Sequence, residues 1–220
     1  MTGAWLERLR GVYVLCDDDP GWRNSVRAQL EGALAGGATV LQLRLKHMAD
    51  GAALELARWA VTRTRAAGAL LFLNDRFDLA LLAGADGVHL GQDDLAPERL
   101  PPDARARLYV GLSTHTLEQV DASVSRPIDY VAFGPVFATG SKESEYTPRG
   151  LDGLRAAAAR AKHPMVAIGG IDAANVGAVR AAGATAAAVI SAVAGASDPA
   201  EATRALQSHF ASGAGLRPRA

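Results

Sequence analysis

An Asn-Asp pair, an Asp-Asp pair and one basic alternation carry the chemistry open to this chain. Asn74-Asp75 and Asp93-Asp94 bracket the stretch NDRFDLALLAGADGVHLGQDD. Gln42, Arg44 and Lys46 alternate with leucine in QLRLK (42–46). Successive side chains on a strand point to opposite faces, so residues 42, 44 and 46 share one face and Leu41, Leu43 and Leu45 the other. A leucine face suits packing against helices, which turns Gln42, Arg44 and Lys46 inward. Two inward cations are costly unless they meet an anion. That anion is either an internal acid or a ligand. Asp75 and Asp94 pose the matching choice. They pair with those cations, or together they hold a hard divalent ion, since Mg2+ takes one or two carboxylates plus water and phosphate oxygens. Asp75, like Asn74, also fits a simpler role as N-cap of the helix RFDLALL. Asp93 reads as a solvated loop residue.

Other residues gather around this cluster. Basic side chains are almost all arginine, and the only lysines are Lys46, Lys142 and Lys162. Lys142 lies in the polar loop FATGSKESEYTPRG, which suits either a lid closing on phosphate or a solvated surface loop. IGG (168–170) and VIS (189–191) each end an apolar run, and backbone N–H groups at such ends favour an anion. The same glycines also suit close packing. His89 alternates inward near a strand end, and His115 lies in a loop. Cys16 has no paired histidine motif, and no HExxH spacing appears.

The elements that must position these residues are short. Eight apolar runs read as strands: 12–16, 39–45, 70–73, 87–90, 107–111, 130–134, 165–169 and 186–190. Between them lie helix-period segments such as ALELARWAVTRTRAAG, RFDLALLAG, LDGLRAAAARA and AANVGAVRAAG. Alternating strand and helix implies parallel strands with crossover helices. The joints GGAT, AGAL, AGAD and AGAT repeat one helix-to-strand turn. The expected fold is a single α/β domain, a (β/α)8 TIM barrel over 1–212 with a frayed tail at 213–220. A doubly wound open sheet is the alternative, weakened by the lack of GxGxxG after the first strand. The proline-bearing segment 94–107 predicts a short fourth helix. In a barrel the C-terminal strand ends carry the chemistry, and Gln42, Arg44, Lys46, Asn74, Asp75, His89, Asp94, His115, Lys142, Gly170 and Ser191 fall on that rim.

Composition excludes several classes. The chain has 220 residues and no formal net charge, so there is no basic footprint for nucleic acid. One cysteine rules out an internal disulfide framework. The N-terminal apolar run is too short for a signal segment, and no run approaches a membrane span. A soluble cytoplasmic protein is expected, and self-association is left open.

The pieces QLRLK (42–46), NDRFDLAL (74–81), GADGVHLGQDD (84–94), GLSTHT (111–116), FGPVFATGSK (133–142), AIGGI (167–171) and VISAV (189–193) occur in a telling order. From strand 2 to strand 8 the chain resembles the thiamine phosphate synthase family. That resemblance implies a TIM barrel that joins a hydroxymethylpyrimidine diphosphate to a hydroxyethylthiazole phosphate, or its carboxylated form, and releases pyrophosphate. It implies Mg2+ on Asp75 and Asp94. It makes Arg44, Lys46, Asn74 and Lys142 grips on the diphosphate, with Arg44, Lys46 and Lys142 stabilising the leaving charge. Gln42, His89, Ser113 and Tyr13 fall on the pyrimidine side. Thr139, Ser141, Gly170, Ile190 and Ser191 fall on the thiazole phosphate. Two departures stand out: leucines fill both gaps of QxRxK, and Ala138 replaces a frequent proline. A thiazole tautomerase using His115, or a silent phosphate-binding barrel, would be rivals. Neither explains why both acids, Lys46 and Lys142 are present together.

Overall fold

The computed structural model describes residues 4–140 and 146–213. Ser141 and Lys142, the centre of the expected lid, lie outside the described residues, as does the tail beyond Gly213. Eight parallel strands close into a barrel in sequence order. They are β1 Gly11–Asp17, β2 Val40–Arg44, β3 Leu70–Asn74, β4 Gly87–Leu90, β5 Tyr109–Thr114, β6 Tyr130–Phe133, β7 Met165–Ile168 and β8 Ala186–Val189. The β1–β8 pairing, Gly11 to Val14 against Ala186 to Val189, removes the free edges an open sheet would keep.

The helices are α1 Ala4–Arg8, α2 Val26–Ala35, α3 Asp50–Ala66, α4 Phe77–Ala83, α5 Pro102–Arg107, α6 Leu117–Ser123, α7 Gly150–Arg160, α8 Val176–Ala181, α9 Ser191–Ala194 and α10 Pro199–Ser212. The proline-bearing segment gives a 3-10 turn and the six-residue α5, matching the short helix expected there. On α3, Ala53, Leu56, Ala57, Ala60, Val61 and Thr64 form one buried stripe at helical spacing. Each of the four repeated joints contains a glycine of positive φ, at Gly37, Gly68, Gly84 and Gly183. A side chain there would be strained, and the alanine that follows each is buried under the sheet.

The strands sort their side chains by alternation into two cores. Leu41, Leu43, Leu71, Leu73, Val88, Leu90 and Val110 face the helices. Tyr13, Leu15, Val40, Leu70, Phe72, Tyr130, Val166 and Ala188 fill the barrel. Three aromatic rings dominate that interior. The Phe72 and Tyr130 centroids stand 5.4 Å apart at 90°, and Tyr13 and Phe72 lie 5.9 Å apart. Such bulk requires empty space opposite. A Cβ at Gly111 would lie 2.1 Å from Cζ of Tyr130. Gly111→Ala is therefore expected to destabilise the barrel by about 1–3 kcal/mol through overpacking. Urea unfolding at neutral pH checks it, and an unchanged midpoint would show that the Tyr130 ring can yield.

Candidate active site

Alternation delivers QLRLK as expected. Gln42 is 1 % exposed inside the barrel, Leu41 and Leu43 pack outward, and Arg44 and Lys46 rise to the C-terminal rim. Both cations have carboxylate partners. Arg44 Nη1 donates to Asp17 Oδ2 at 2.6 Å, and Lys46 Nζ pairs with Asp75 Oδ2.

Asp17 was not anticipated. It ends β1, and its carboxylate also accepts from Trp22 Nε1 and from the backbone N–H of Asp19, both at 2.9 Å. Burial alone would raise its pKa, but the Asp19 N–H, Arg44 and Trp22 together hold it below the usual carboxylate range. The signal was available: Tyr13 and Leu15 point inward, so Asp17 must as well. Asp18 was also missed. Its two oxygens accept the backbone N–H groups of Lys46 and His47, at 2.8 and 3.0 Å.

The simple capping role for Asp75 does not hold. The residue at the N-cap of α4 is Arg76, with no side-chain capping bond. Asp75 instead adopts φ 63°, the left-handed region, alone among the described non-glycine residues. Aspartate tolerates that region better than most, but it is a costly conformation away from glycine. Arg76 N–H donates to Asn74 O at 2.7 Å and Phe77 N–H to Asp75 O at 3.1 Å, a tight corner that delivers Asn74 and Asp75 to the rim. Arg76 is occupied elsewhere, bridging Asp50 and Asp78.

Asp94 reaches the same point from the loop after β4. Its Oδ2 accepts the Gly91 N–H at 2.6 Å. Burial first, then contact with the Asp75 carboxyl, pushes the Asp94 carboxyl above the ordinary range. The two carboxylates thus meet at one place, where Lys46 pairs with Asp75. A donor set of hard oxygens with uncompensated negative charge fits a Mg2+ ion. Asp93 is exposed, a bystander as expected.

Behind this cluster a polar chain crosses the barrel. Gln42 Nε2 donates to Tyr13 Oη at 2.9 Å, and Tyr13 Oη meets Tyr130 Oη at 3.1 Å. Tyr130 Oη lies 2.8 Å from His89 Nδ1, and His89 Nε2 lies 2.8 Å from Ser113 Oγ. Tyr13 thus sits one layer below the rim with its hydroxyl engaged from both sides. Tyr130 was not anticipated, because it begins its strand and reaches across the barrel.

Beside this chain opens a cavity of about 90 Å3, lined by Ser113, Thr139, Gly170, Ile190 and Ser191 among others. The glycines shape it by close approach: a Cβ at Gly170 would lie 2.4 Å from Ala138 O. His115 also lines it, with Nδ1 2.7 Å from Gly134 O and its ring stacked 4.1 Å from that of Tyr146. Cys16 is fully buried on the helix-facing side and its thiol is pushed up by burial, which leaves it unfit as a nucleophile. Among the described residues, no helix is long and apolar enough to cross a membrane.

A closed barrel with cations, paired acids and a glycine-shaped cavity on one rim defines an enzyme that handles phosphorylated small molecules. The family model for thiamine monophosphate synthase matches residues 12–193, and the chain belongs to that family. A thiamine-phosphate synthase of Anaeromyxobacter dehalogenans is 46% identical over 214 residues, covering 96% of this chain and 92% of its own. One from Chloroflexus aurantiacus is 43% identical over 196 residues, covering 89% and 90%. The solved thiamine phosphate pyrophosphorylase of Pyrococcus furiosus superposes with a TM-score of 0.85 at 34% identity, covering 96% of this chain and 100% of its own.

Proposed function

We propose that this chain is a Mg2+-dependent thiamine-phosphate synthase. It couples 4-amino-2-methyl-5-hydroxymethylpyrimidine diphosphate with 4-methyl-5-(2-hydroxyethyl)thiazole phosphate, or its carboxylated form, and releases pyrophosphate. The observation that carries the reading is the meeting of Asp75 and Asp94 beside Lys46, in a chain of this family.

Asp75 and Asp94 would hold the ion, which when bound would offset charge on the diphosphate oxygens. Arg44, fixed by Asp17, supplies positive charge without having to reorganise, and Lys46, its backbone anchored by Asp18, adds a second cation. Lys142 adds a third cation and Asn74 a neutral donor. The methylene that loses diphosphate is attached to an electron-rich aminopyrimidine, which stabilises a carbocation-like centre. The barrier then lies in separating the leaving charge, and no strong general base is required. Gln42, His89, Ser113 and Tyr13 form the pyrimidine side. Thr139, Ser141, Gly170, Ile190 and Ser191 hold the thiazole phosphate so that its ring nitrogen lies in line with the methylene.

Purified protein with both substrates and Mg2+ is expected to release pyrophosphate and form thiamine phosphate, with neither product when one substrate or the metal is withheld. Absence of thiamine phosphate under full conditions would sink the reading.

A further inference from the structure

The pairing of β1 with β8 covers Gly11 to Val14 and stops there, while β1 runs on to Asp17. Past that point the chain leaves β8 and enters α9, so the two neighbours part at the rim. On the β1 side Asp17 holds Arg44. On the β8 side Ile190 and Ser191 line the cavity. The loop after β1 and one side chain of α2 span the space between them.

That side chain is Gln29, which is fully buried at 0 % exposure. Its Oε1 accepts the Asp17 N–H at 2.8 Å and its Nε2 donates to Asp17 O at 3.0 Å, standing in for the strand that no longer runs beside Asp17. The other Nε2 hydrogen goes to Asn24 O at 2.7 Å. The amide cannot turn over without setting its oxygen against two carbonyls. Asn24 fastens the opposite side. Its Nδ2 donates to Ala194 O at 2.9 Å and to Ala196 O at 2.7 Å, at the end of the helix that Ser191 begins. Between the two, Trp22 Nε1 holds the Asp17 carboxylate while its ring packs against the barrel core that includes Ile190 and Ala194. A hydrogen-bonded path thus runs unbroken from Arg44 through Asp17, Gln29 and Asn24 to α9. A buried polar path with every member satisfied is rigid.

We infer that Asn24 and Gln29 are positioning residues, which fix Arg44 and Ser191 relative to each other and so align the two phosphorylated substrates. This rests on the proposed reaction, in which Arg44 grips the diphosphate and Ser191 the thiazole phosphate. Gln29 acts on Arg44 through Asp17, and Asn24 acts on Ser191 through Ala194 and Ala196. The attacking nitrogen must lie in line with the methylene, so slack between the two halves costs rate more than affinity.

Asn24→Ala removes both side-chain bonds to α9, and Asn24→Asp removes them while keeping the size of the residue. Both are expected to lower kcat about tenfold per folded molecule, with KM for each substrate changed by less than about twofold. Lower stability with unchanged kcat would overturn the inference, as would full activity in Asn24→Asp. Amide hydrogen exchange reads the same tie without substrate. Gln29→Met leaves every bond from Asn24 to α9 in place. The Ala194 and Gly195 N–H groups, which donate to Ile190 O and Ser191 O, are nevertheless expected to exchange about tenfold faster, the worth of one hydrogen bond. In Asn24→Ala the Asp18 N–H, which donates to Arg44 O, is expected to quicken likewise. That second variant decides the matter if Gln29→Met does not fold. Exchange that quickens only beside the substituted residue would overturn the tie. If the distant amides respond but wild-type protein makes no thiamine phosphate, the tie stands and the proposed reaction falls.

Discussion

Asp94→Asn is expected to lower the rate of pyrophosphate release by about 100- to 1,000-fold at saturating substrates, the usual loss when a fixed electrostatic contact to developing charge is removed. Asparagine keeps an oxygen for the Gly91 N–H, so the loop after β4 retains its shape. Only the charge shared with Asp75 is lost. The Mg2+ concentration for half-maximal rate should rise as well. Metal-free stability should move the other way. A carboxyl whose pKa is raised in the fold resists ionisation there, so folding loses stability as pH rises from the unfolded pKa toward the folded one. Near neutral pH the variant is therefore expected to melt no lower than the wild type without metal. Full turnover in Asp94→Asn would remove this residue from the metal site. A clear fall in melting temperature would show that the acid pair serves stability instead.

Asp17→Ala is expected to cost about 3–5 kcal/mol of folding stability at neutral pH. Removing one partner of a buried ion pair leaves the other charge uncompensated. Asp17 is 1 % exposed, and the Arg44 side chain 19 %. Trp22 Nε1 and the Asp19 N–H would lose their acceptor too. The pH dependence has a definite sign. The Asp17 pKa is depressed in the fold, so its stabilisation is present above the unfolded value of about 3.9 and fades as pH falls through the lower folded value. Urea midpoints of the two proteins should differ widely at pH 7 and draw together as the solution is acidified below about pH 4. A gap that stays constant with pH would mean that Asp17 acts by packing, not by charge. Turnover should fall in parallel, because Arg44 would no longer be held in one orientation.

Much of this architecture is written in local periodicity. Alternation by two placed Gln42, Arg44 and His89 inside the barrel and the leucines outside, and four glycine joints announced a repeated unit. What local patterns could not carry is contact across the barrel. Tyr130 meets Tyr13 through a separation of 117 residues, and nothing beside either residue marks the other. Asp17 is a different case. The aspartate run after β1 reads as a polar turn unless the alternation from Tyr13 is carried two residues further. Asp75 shows a third limit. Its neighbours favour a helix cap, while its left-handed backbone is fixed by the corner between β3 and α4. Ser141 and Lys142 lie outside the described residues, so their roles rest on the sequence.

Asp18 touches no site side chain, yet it governs how the site is met. By accepting the N–H groups of both Lys46 and His47, it ties the segment after β2 to the end of β1 before any substrate arrives. The freedom of that segment is surrendered during folding and not at encounter. In the proposed reaction, a diphosphate reaching the rim would meet a lysine whose backbone is already anchored. Association can then proceed at the pace of diffusion and charge attraction, without waiting for that segment to settle.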